Sequence, residues 1–192
     1  TVARDSAAGG VLAVLAGKVH GARHVRKVHP HRLDAFSSGE AGPLATIDHG
    51  RLEPAPGRTA PFTMPDREAG RSVPVAVALT CPVPQWPRVE IVHSHAGASG
   101  AVVHALCGDG IQRARCVDGL VVAATGNGTL HRDLEAALLA AQSQGIAVLR
   151  SLRCSDGPLM PVASDRHPGA DDLTPVQARI ELMLSLMSDP TR

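Results

Sequence analysis

Lys27 lies in a short stretch, VRKVHPHRLDAF (residues 25–36), that combines cations, histidines and a proline. The chain contains 19 lysines and arginines, and Lys18 and Lys27 are its only lysines. A lysine ammonium can lose its proton at an accessible pKa when it is buried, whereas an arginine stays charged. This stretch could therefore place one acid–base lysine, bind phosphates through its cations, or bind a metal through its histidines.

The basic character of this stretch is local. The net charge of the chain is +1, and only 2% of its residues are aromatic. Proteins that bind nucleic acid need a wide basic face or aromatic platforms for the bases, and no aromatic residue precedes Phe36. We interpret the run of cations as a solvated loop, with nucleic-acid binding as the weaker alternative.

A second group of histidines could bind a metal. His93 and His95 alternate within VEIVHSHA (89–96) and so share one face of a predicted strand. His104 and His131 could join them, but Glu90, the acidic residue of that strand, falls on the opposite face. None of the four cysteines stands in a C-x-x-C pair, so the sequence favours no metal site and no cofactor.

Two other motifs lack the context that their chemistry requires. TGNGT (125–129) follows a predicted buried strand, where open α/β sheets bind ligands, but it is neither G-x-G-x-x-G nor a P-loop. A tight turn between strand and helix is favoured over a nucleotide site. Ser99 lies in AGASGA without the G-x-S-x-G nucleophile elbow, which gives a serine hydrolase no support.

The elements that must position these residues are clearest in the C-terminal half. Apolar periodicity predicts alternating strands and helices, with strands at 89–96, 119–128 (ending in a glycine turn) and 146–152, and helices at 99–110, 130–145 and from Pro175 onward. Thr174 is the predicted cap of the last helix. This order predicts an α/β fold on a parallel sheet with right-handed crossovers.

The N-terminal half is predicted to hold short strands and a linker. The apolar run at 11–16 predicts a buried strand, and His49-Gly50 predicts a turn between two short strands. Eight prolines fall between residues 53 and 88, so this window is predicted to be a linker. No apolar run approaches the roughly 18 residues that cross a bilayer, so we expect no membrane partner.

Six segments follow one another along nearly the whole chain in an order that is typical of one family: GVLAVLAGKVHGARHVRK, DAFSSGEAGPL, PRVEIVHSHAGASG, GLVVAATGNGTLH, AVLRSLRCSDG and LTPVQARIELMLSL. Together they resemble the bacterial two-domain L-asparaginases of the asparaginase/glutaminase family. The resemblance implies an α/β sandwich domain at 88–192, a linker at 53–87, and the last strands of a larger α/β catalytic domain at 1–52. It also implies a homo-oligomer, tetrameric in the family.

The resemblance carries functional roles to a few positions. RHVRK matches the family's lysine segment, so Lys27 is the implied catalytic lysine that activates a threonine nucleophile. Arg26 and Val28 stand where the family has threonines beside that lysine. In the C-terminal domain, Gly97 matches a polar position that contacts the substrate of a neighbouring subunit, and Ser99 in the same segment is the second substrate-binding candidate.

The implied activity is hydrolysis of L-asparagine, and possibly of L-glutamine, to the acid and ammonia. The family's T-G-G-T and G-T-D motifs are absent from the 192 residues, so we expect an asparaginase portion that follows the nucleophile-bearing part. One alternative is a non-catalytic domain used for assembly. Another takes Thr1 as the nucleophile, as in the unrelated self-processing asparaginases. The dispersed cysteines lean toward the bacterial cytoplasm over the periplasm.

Overall fold

The chain forms two compact units, residues 1–70 and 71–192. The computed structural model describes residues 1–6, 8–58, 82–108 and 116–188. Most of the predicted linker, residues 59–81, and the end of the helix predicted at 99–110 lie outside the described residues.

The first unit is built from short antiparallel strands. Its main sheet has the order β1-β2-β5-β6, and a separate two-stranded sheet pairs β3 with β4. The strands are β1 (Leu12–Leu15), β2 (Lys18–Gly21), β3 (Arg26–Lys27), β4 (Phe36–Ser37), β5 (Ala45–Asp48) and β6 (Arg51–Pro54). Short 3-10 turns lie at Val2–Arg4 and Gly39–Ala41.

The prediction that the first strand is buried is wrong. β1 is the first strand in the order of its sheet and pairs antiparallel with β2. Val11, just before it, is 75% exposed, and Val14 within it is 43% exposed. The buried cluster of this unit contains Val19 and Ala45 on the inner strands β2 and β5, and Leu44 just before β5. A continuous apolar run reports how apolar a segment is, but not how many of its faces are covered.

The predicted turn at His49-Gly50 is confirmed. Asp48 pairs with Arg51 across the β5–β6 hairpin, and the two turn residues have φ values of 45° and 77°. Two positive φ values in a two-residue loop define a type I′ turn, whose twist matches that of the flanking strands. β6 then continues to Pro54. Proline has no N–H to donate to a neighbouring strand, so it is tolerated on a strand at the edge of a sheet.

The second unit contains the predicted parallel sheet. Its three strands, β7 (Val89–His93), β8 (Gly119–Ala124) and β9 (Ala147–Leu152), run in the order β7-β8-β9. Both pairings are parallel. The described residues of this unit also form three α-helices, α1 (Ala101–Cys107), α2 (Arg132–Ser143) and α3 (Pro175–Met187), and a 3-10 turn at Val83–Gln85. The α/β class is confirmed.

Helices cover both faces of this sheet, which explains why β8 is apolar at every position and wholly buried. On one face Val122 packs with Leu134 and Leu138 of α2 and with α1. On the other face Val121 packs with Ala178 and Met183 of α3. Alternate residues of a strand point to opposite faces, so one strand contributes to both clusters.

The beginning of α3 is fixed by the predicted cap. Thr174 Oγ1 accepts from the Gln177 N–H at 3.4 Å, and Gln177 Oε1 accepts from the Thr174 N–H at 3.0 Å. This reciprocal capping box satisfies two donors that a helix start leaves open, and Pro175 fits the first turn. Within the described residues, no helix is long and apolar enough to cross a membrane.

Candidate active site

Lys27 lies on the β3–β4 hairpin of the first unit. It pairs with Phe36, while Arg26 pairs with Ser37. The backbone continues the hairpin through a bond of 2.8 Å from the Val28 N–H to the Ala35 carbonyl. The Lys27 side chain is exposed, so the described part of the chain does not provide the burial that an acid–base lysine of lowered pKa requires.

The histidines next to Lys27 shape the loop between the two strands. His29 Nδ1 accepts from the backbone N–H groups of His31 at 3.3 Å and Arg32 at 3.2 Å. Arg32 in turn donates two bonds to the Asp34 carboxylate, at 2.8 and 2.7 Å, and these bonds lower the pKa of Asp34. These contacts hold a turn together. Among the described residues, no group of three histidine, cysteine or acidic side chains could hold a metal ion.

A buried pair beneath this hairpin escaped the sequence analysis. His20 on β2 and Ser38, which follows β4, are 1% and 4% exposed, and His20 Nδ1 lies 2.8 Å from Ser38 Oγ. Burial lowers the pKa of His20, and the charge of Lys18 lowers it further. The pair ties the main sheet to the strand opposite Lys27 and so positions that hairpin.

Gly97 and Ser99 lie in one loop at the carboxyl end of β7, in the second unit. Gly97 is exposed with a φ of 72°, and the space where a side chain would begin is open. Ser99 is also exposed, and its Oγ accepts from the Ala101 N–H at 3.4 Å, at the start of α1. The structure thus brings the two substrate-binding candidates together, while Lys27 belongs to the other unit.

Ser94, which directly follows β7, contacts the segments that follow β8 and β9. Ser94 is 2% exposed, and its Oγ accepts from the His131 N–H at 3.0 Å. Its carbonyl accepts from Arg153 Nη1 at 2.9 Å. His131 caps α2, because its Nδ1 accepts from the Asp133 N–H at 3.3 Å. Segments that follow all three strands are therefore joined at the carboxyl edge of the sheet, where open α/β sheets bind ligands.

The TGNGT segment forms the predicted tight turn after β8. Thr125 and Thr129 exchange two backbone bonds of 3.1 and 2.8 Å. The Asn127 side chain both donates to the Met160 carbonyl at 3.3 Å and accepts from the Met160 N–H at 3.0 Å. The amide in this motif therefore holds a neighbouring loop of the chain.

Below that turn lies a charged group that sequence reasoning also missed. Arg150, in the middle of β9, is 7% exposed. Its Nη2 pairs with Asp165 Oδ2, and its Nη1 donates to the Gly128 carbonyl at 3.2 Å. The hydrogen bond from Arg150 lowers the pKa of Asp165. His167 is 4% exposed, and neither of its ring nitrogens has a hydrogen-bond partner among the described residues.

His167 should make the second unit sensitive to acid. Burial lowers its pKa from the ordinary value of 6.5; Glu135 opposes this effect, and Arg150 and Arg166 add to it. The unfolded chain therefore binds the proton more readily, so the unfolding free energy should fall as pH drops through 6.5 and below. We expect His167→Gln to weaken this dependence, measured as urea midpoints at pH 7.5 and 5.5.

Trp86 is the single tryptophan of the chain. It packs against the hydrophobic cluster that contains Val121, Ala178 and Met183, so its fluorescence reports on the folding of this unit. His104→Gln is the matched control, because His104 is exposed on α1. An equal loss of acid sensitivity in both variants would contradict the assignment to His167.

Two segments of the chain match known protein families. Residues 1–57 match the family described as "Asparaginase, N-terminal", and residues 88–192 match "Glutaminase/Asparaginase C-terminal domain". The second match covers more than half of the chain. The protein therefore belongs to the glutaminase/asparaginase family.

Three curated relatives share this similarity. L-asparaginase 2 of Escherichia coli K12 is 31% identical over 95% of this chain and 49% of its own length. A probable L-asparaginase of Deinococcus radiodurans is 34% identical over 86% of this chain and 44% of its own length. L-asparaginase 2 of Bacillus subtilis is 25% identical over 95% of this chain and 46% of its own length. The chain spans about half the length of the curated relatives it matches.

Proposed function

We propose that this chain acts as part of an L-asparaginase, which hydrolyses the side-chain amide of L-asparagine to L-aspartate and ammonia, with L-glutamine as a second substrate. The observation that carries the proposal is the order of the two family matches. The N-terminal family matches residues 1–57 and the C-terminal family matches residues 88–192 of the same chain. The relatives named L-asparaginase extend over most of the chain and support the same activity.

Lys27 is the acid–base group in this proposal. Beside a threonine hydroxyl, a neutral lysine accepts the hydroxyl proton as the oxygen attacks the amide carbon, and later returns a proton to the departing ammonia. The hairpin presents Lys27 at the surface of the first unit, supported from below by His20 and Ser38. The nucleophile-bearing part of the enzyme would cover this surface, and burial would then lower the pKa of Lys27.

The loop after β7 is the proposed contribution of the second unit. Gly97 has no side chain, so it would contact the substrate of a neighbouring subunit through its backbone, and the Ser99 hydroxyl would supply the polar side chain nearby. Both residues are exposed, as such a contact requires. A homo-oligomer, tetrameric as the family resemblance implies, would bring this loop to the partner's site.

We expect the purified 192-residue chain to release no ammonia from L-asparagine. The reason is chemical: the sequence contains neither T-G-G-T nor G-T-D, so it lacks the threonine that attacks the amide. Joining the chain to an upstream half that carries both motifs should produce activity, measured by coupled ammonia detection. The upstream half alone serves as the control.

Two results would contradict this proposal. If the joined protein folds and oligomerises but releases no ammonia, the chain does not support amidohydrolase activity. If the 192-residue chain is active alone and Thr1→Ala abolishes the activity, the nucleophile is the N-terminal threonine and the mechanism is a different one.

A further inference from the structure

Cys107 and Cys116 lie together at one end of α1, outside the site proposed above. Cys107 is the last residue of the helix and is 8% exposed, whereas Cys116 is half-buried. Both are thiols in this structure. Nothing in the proposed amidohydrolase chemistry uses either of them.

Side-chain and backbone contacts hold the two cysteines close to each other. Cys116 Sγ donates to the Cys107 carbonyl oxygen at 2.5 Å. A carbonyl oxygen lies about 2.4 Å from the Cα of its own residue, so Cys116 Sγ lies within about 5 Å of the Cys107 Cα. The Val117 N–H also donates to the Leu106 carbonyl at 3.2 Å, which fixes the two backbone segments side by side.

Gly108 makes this approach possible. A side chain at this position would begin 3.0 Å from Cys116 Sγ, and the residue has a φ of 71°. Glycine adopts this conformation without strain and leaves room for the sulfur. A disulfide requires Cβ atoms about 3.8 Å apart. Cys116 Sγ already lies within about 5 Å of the Cys107 Cα, to which the Cys107 Cβ is bonded.

From this geometry we infer that Cys107 and Cys116 form a reversible intramolecular disulfide with a small disulfide oxidant such as oxidised glutathione. The more exposed Cys116 thiolate attacks the oxidant, forms a mixed disulfide and releases one glutathione thiolate. The Cys107 thiolate then attacks the Cys116 sulfur and releases the second glutathione. Two protein thiols are oxidised, one glutathione disulfide is reduced to two thiols, and the two protons go to the solvent or the leaving thiolates.

The environment of Cys107 assigns the order of the two steps. Burial raises the pKa of its thiol, and the neighbouring Cys116 raises it further. A thiol of raised pKa and low exposure is a poor first nucleophile toward a dissolved oxidant. Once Cys116 carries the mixed disulfide, the second attack takes place within the protein at high effective concentration.

Peptide mapping of the full 192-residue chain tests the cross-link directly. Trypsin cleaves after Arg88, Arg113, Arg115 and Arg132, so the two cysteines fall in separate peptides, 89–113 and 116–132. After treatment of the native protein with oxidised glutathione and alkylation of the remaining thiols, we expect these two peptides to be joined. Dithiothreitol should separate them, with a gain of one hydrogen on each sulfur.

Variants identify the partners and keep the test decisive. Cys107→Ala should leave Cys116 as a stable glutathione adduct, and Cys116→Ser should abolish the linked pair. Cys154→Ser is the matched control, since Cys154 is exposed and should not affect the link. Two results would overturn the inference. The first is a glutathione adduct on Cys116 that persists in the wild-type chain, and the second is a disulfide that links Cys116 only to Cys81 or Cys154.

Discussion

Lys27→Arg should lower kcat by about 10²–10⁴ in a protein that carries both this chain and the nucleophile-bearing half, because general acid–base catalysis contributes that much to the rate. Arginine keeps the positive charge and most of the length of lysine, but it cannot release its proton near neutral pH. The side chain is exposed on the β3–β4 hairpin, so the substitution should not disturb the fold of the first unit. Steady-state ammonia release gives kcat, and circular dichroism checks the fold.

Lys18→Arg is the matched control for this substitution. Lys18 is the other lysine of the chain, lies at the start of β2 and is also exposed. It lacks any match to the family's lysine segment, so its replacement should leave kcat close to that of the unaltered protein. Equal and small effects of the two substitutions would show that Lys27 is only a surface cation, even though the family assignment would stand.

Leu138→Ala should lower the unfolding free energy of the second unit by about 2–5 kcal/mol. Leu138 is fully buried between α2 and the sheet, in the cluster that also contains Val122 and Leu134. Alanine removes the transfer free energy of three carbons and leaves a cavity that a packed interior closes only in part. Urea unfolding followed by Trp86 fluorescence should show a lower midpoint with an unchanged slope.

Val176→Ala provides the comparison on the surface. Val176 is 66% exposed in the first turn of α3, so its truncation removes little buried area. We expect a change within about 0.5 kcal/mol. A small effect at Leu138 would mean that the cluster on the α2 face does not stabilise the unit as its burial indicates.

The spacing of apolar residues predicted the strands and helices of the second unit well, because each of these elements is encoded within its own segment of sequence. The apolar positions of α2 at Leu134, Ala137, Leu138 and Ala141 are all buried, as a 3.6-residue repeat requires. The helix begins at Arg132 and not at 130 because the His131 side chain caps it. Such a cap depends on the rotamer of one side chain, so the sequence pattern alone places the boundary only approximately.

The missed features all depend on contacts between distant segments. A charged residue within the apolar strand AVLRSL signals that Arg150 needs a buried partner, but nothing local selects Asp165 among the acidic residues. The His20–Ser38 contact likewise joins residues 18 positions apart. Lys27, Gly97 and Ser99 came from the family resemblance, and their roles remain predictions. The substitution Lys27→Arg tests the first of these roles.

The backbone beside Arg150 also bears on the tendency of this protein to aggregate. β9 ends the order of its sheet, and its outer edge is met by the segment 168–170: the Arg150 N–H donates to the Pro168 carbonyl and the Arg150 carbonyl accepts from the Ala170 N–H, both at 2.8 Å. Exposed strand edges recruit strands from other chains, which leads to fibrous or amorphous assembly. Here the protein's own chain occupies that position, and Pro168 cannot supply an N–H to a further strand. At Arg150 the edge of β9 is therefore occupied, which hinders intermolecular strand addition at that point.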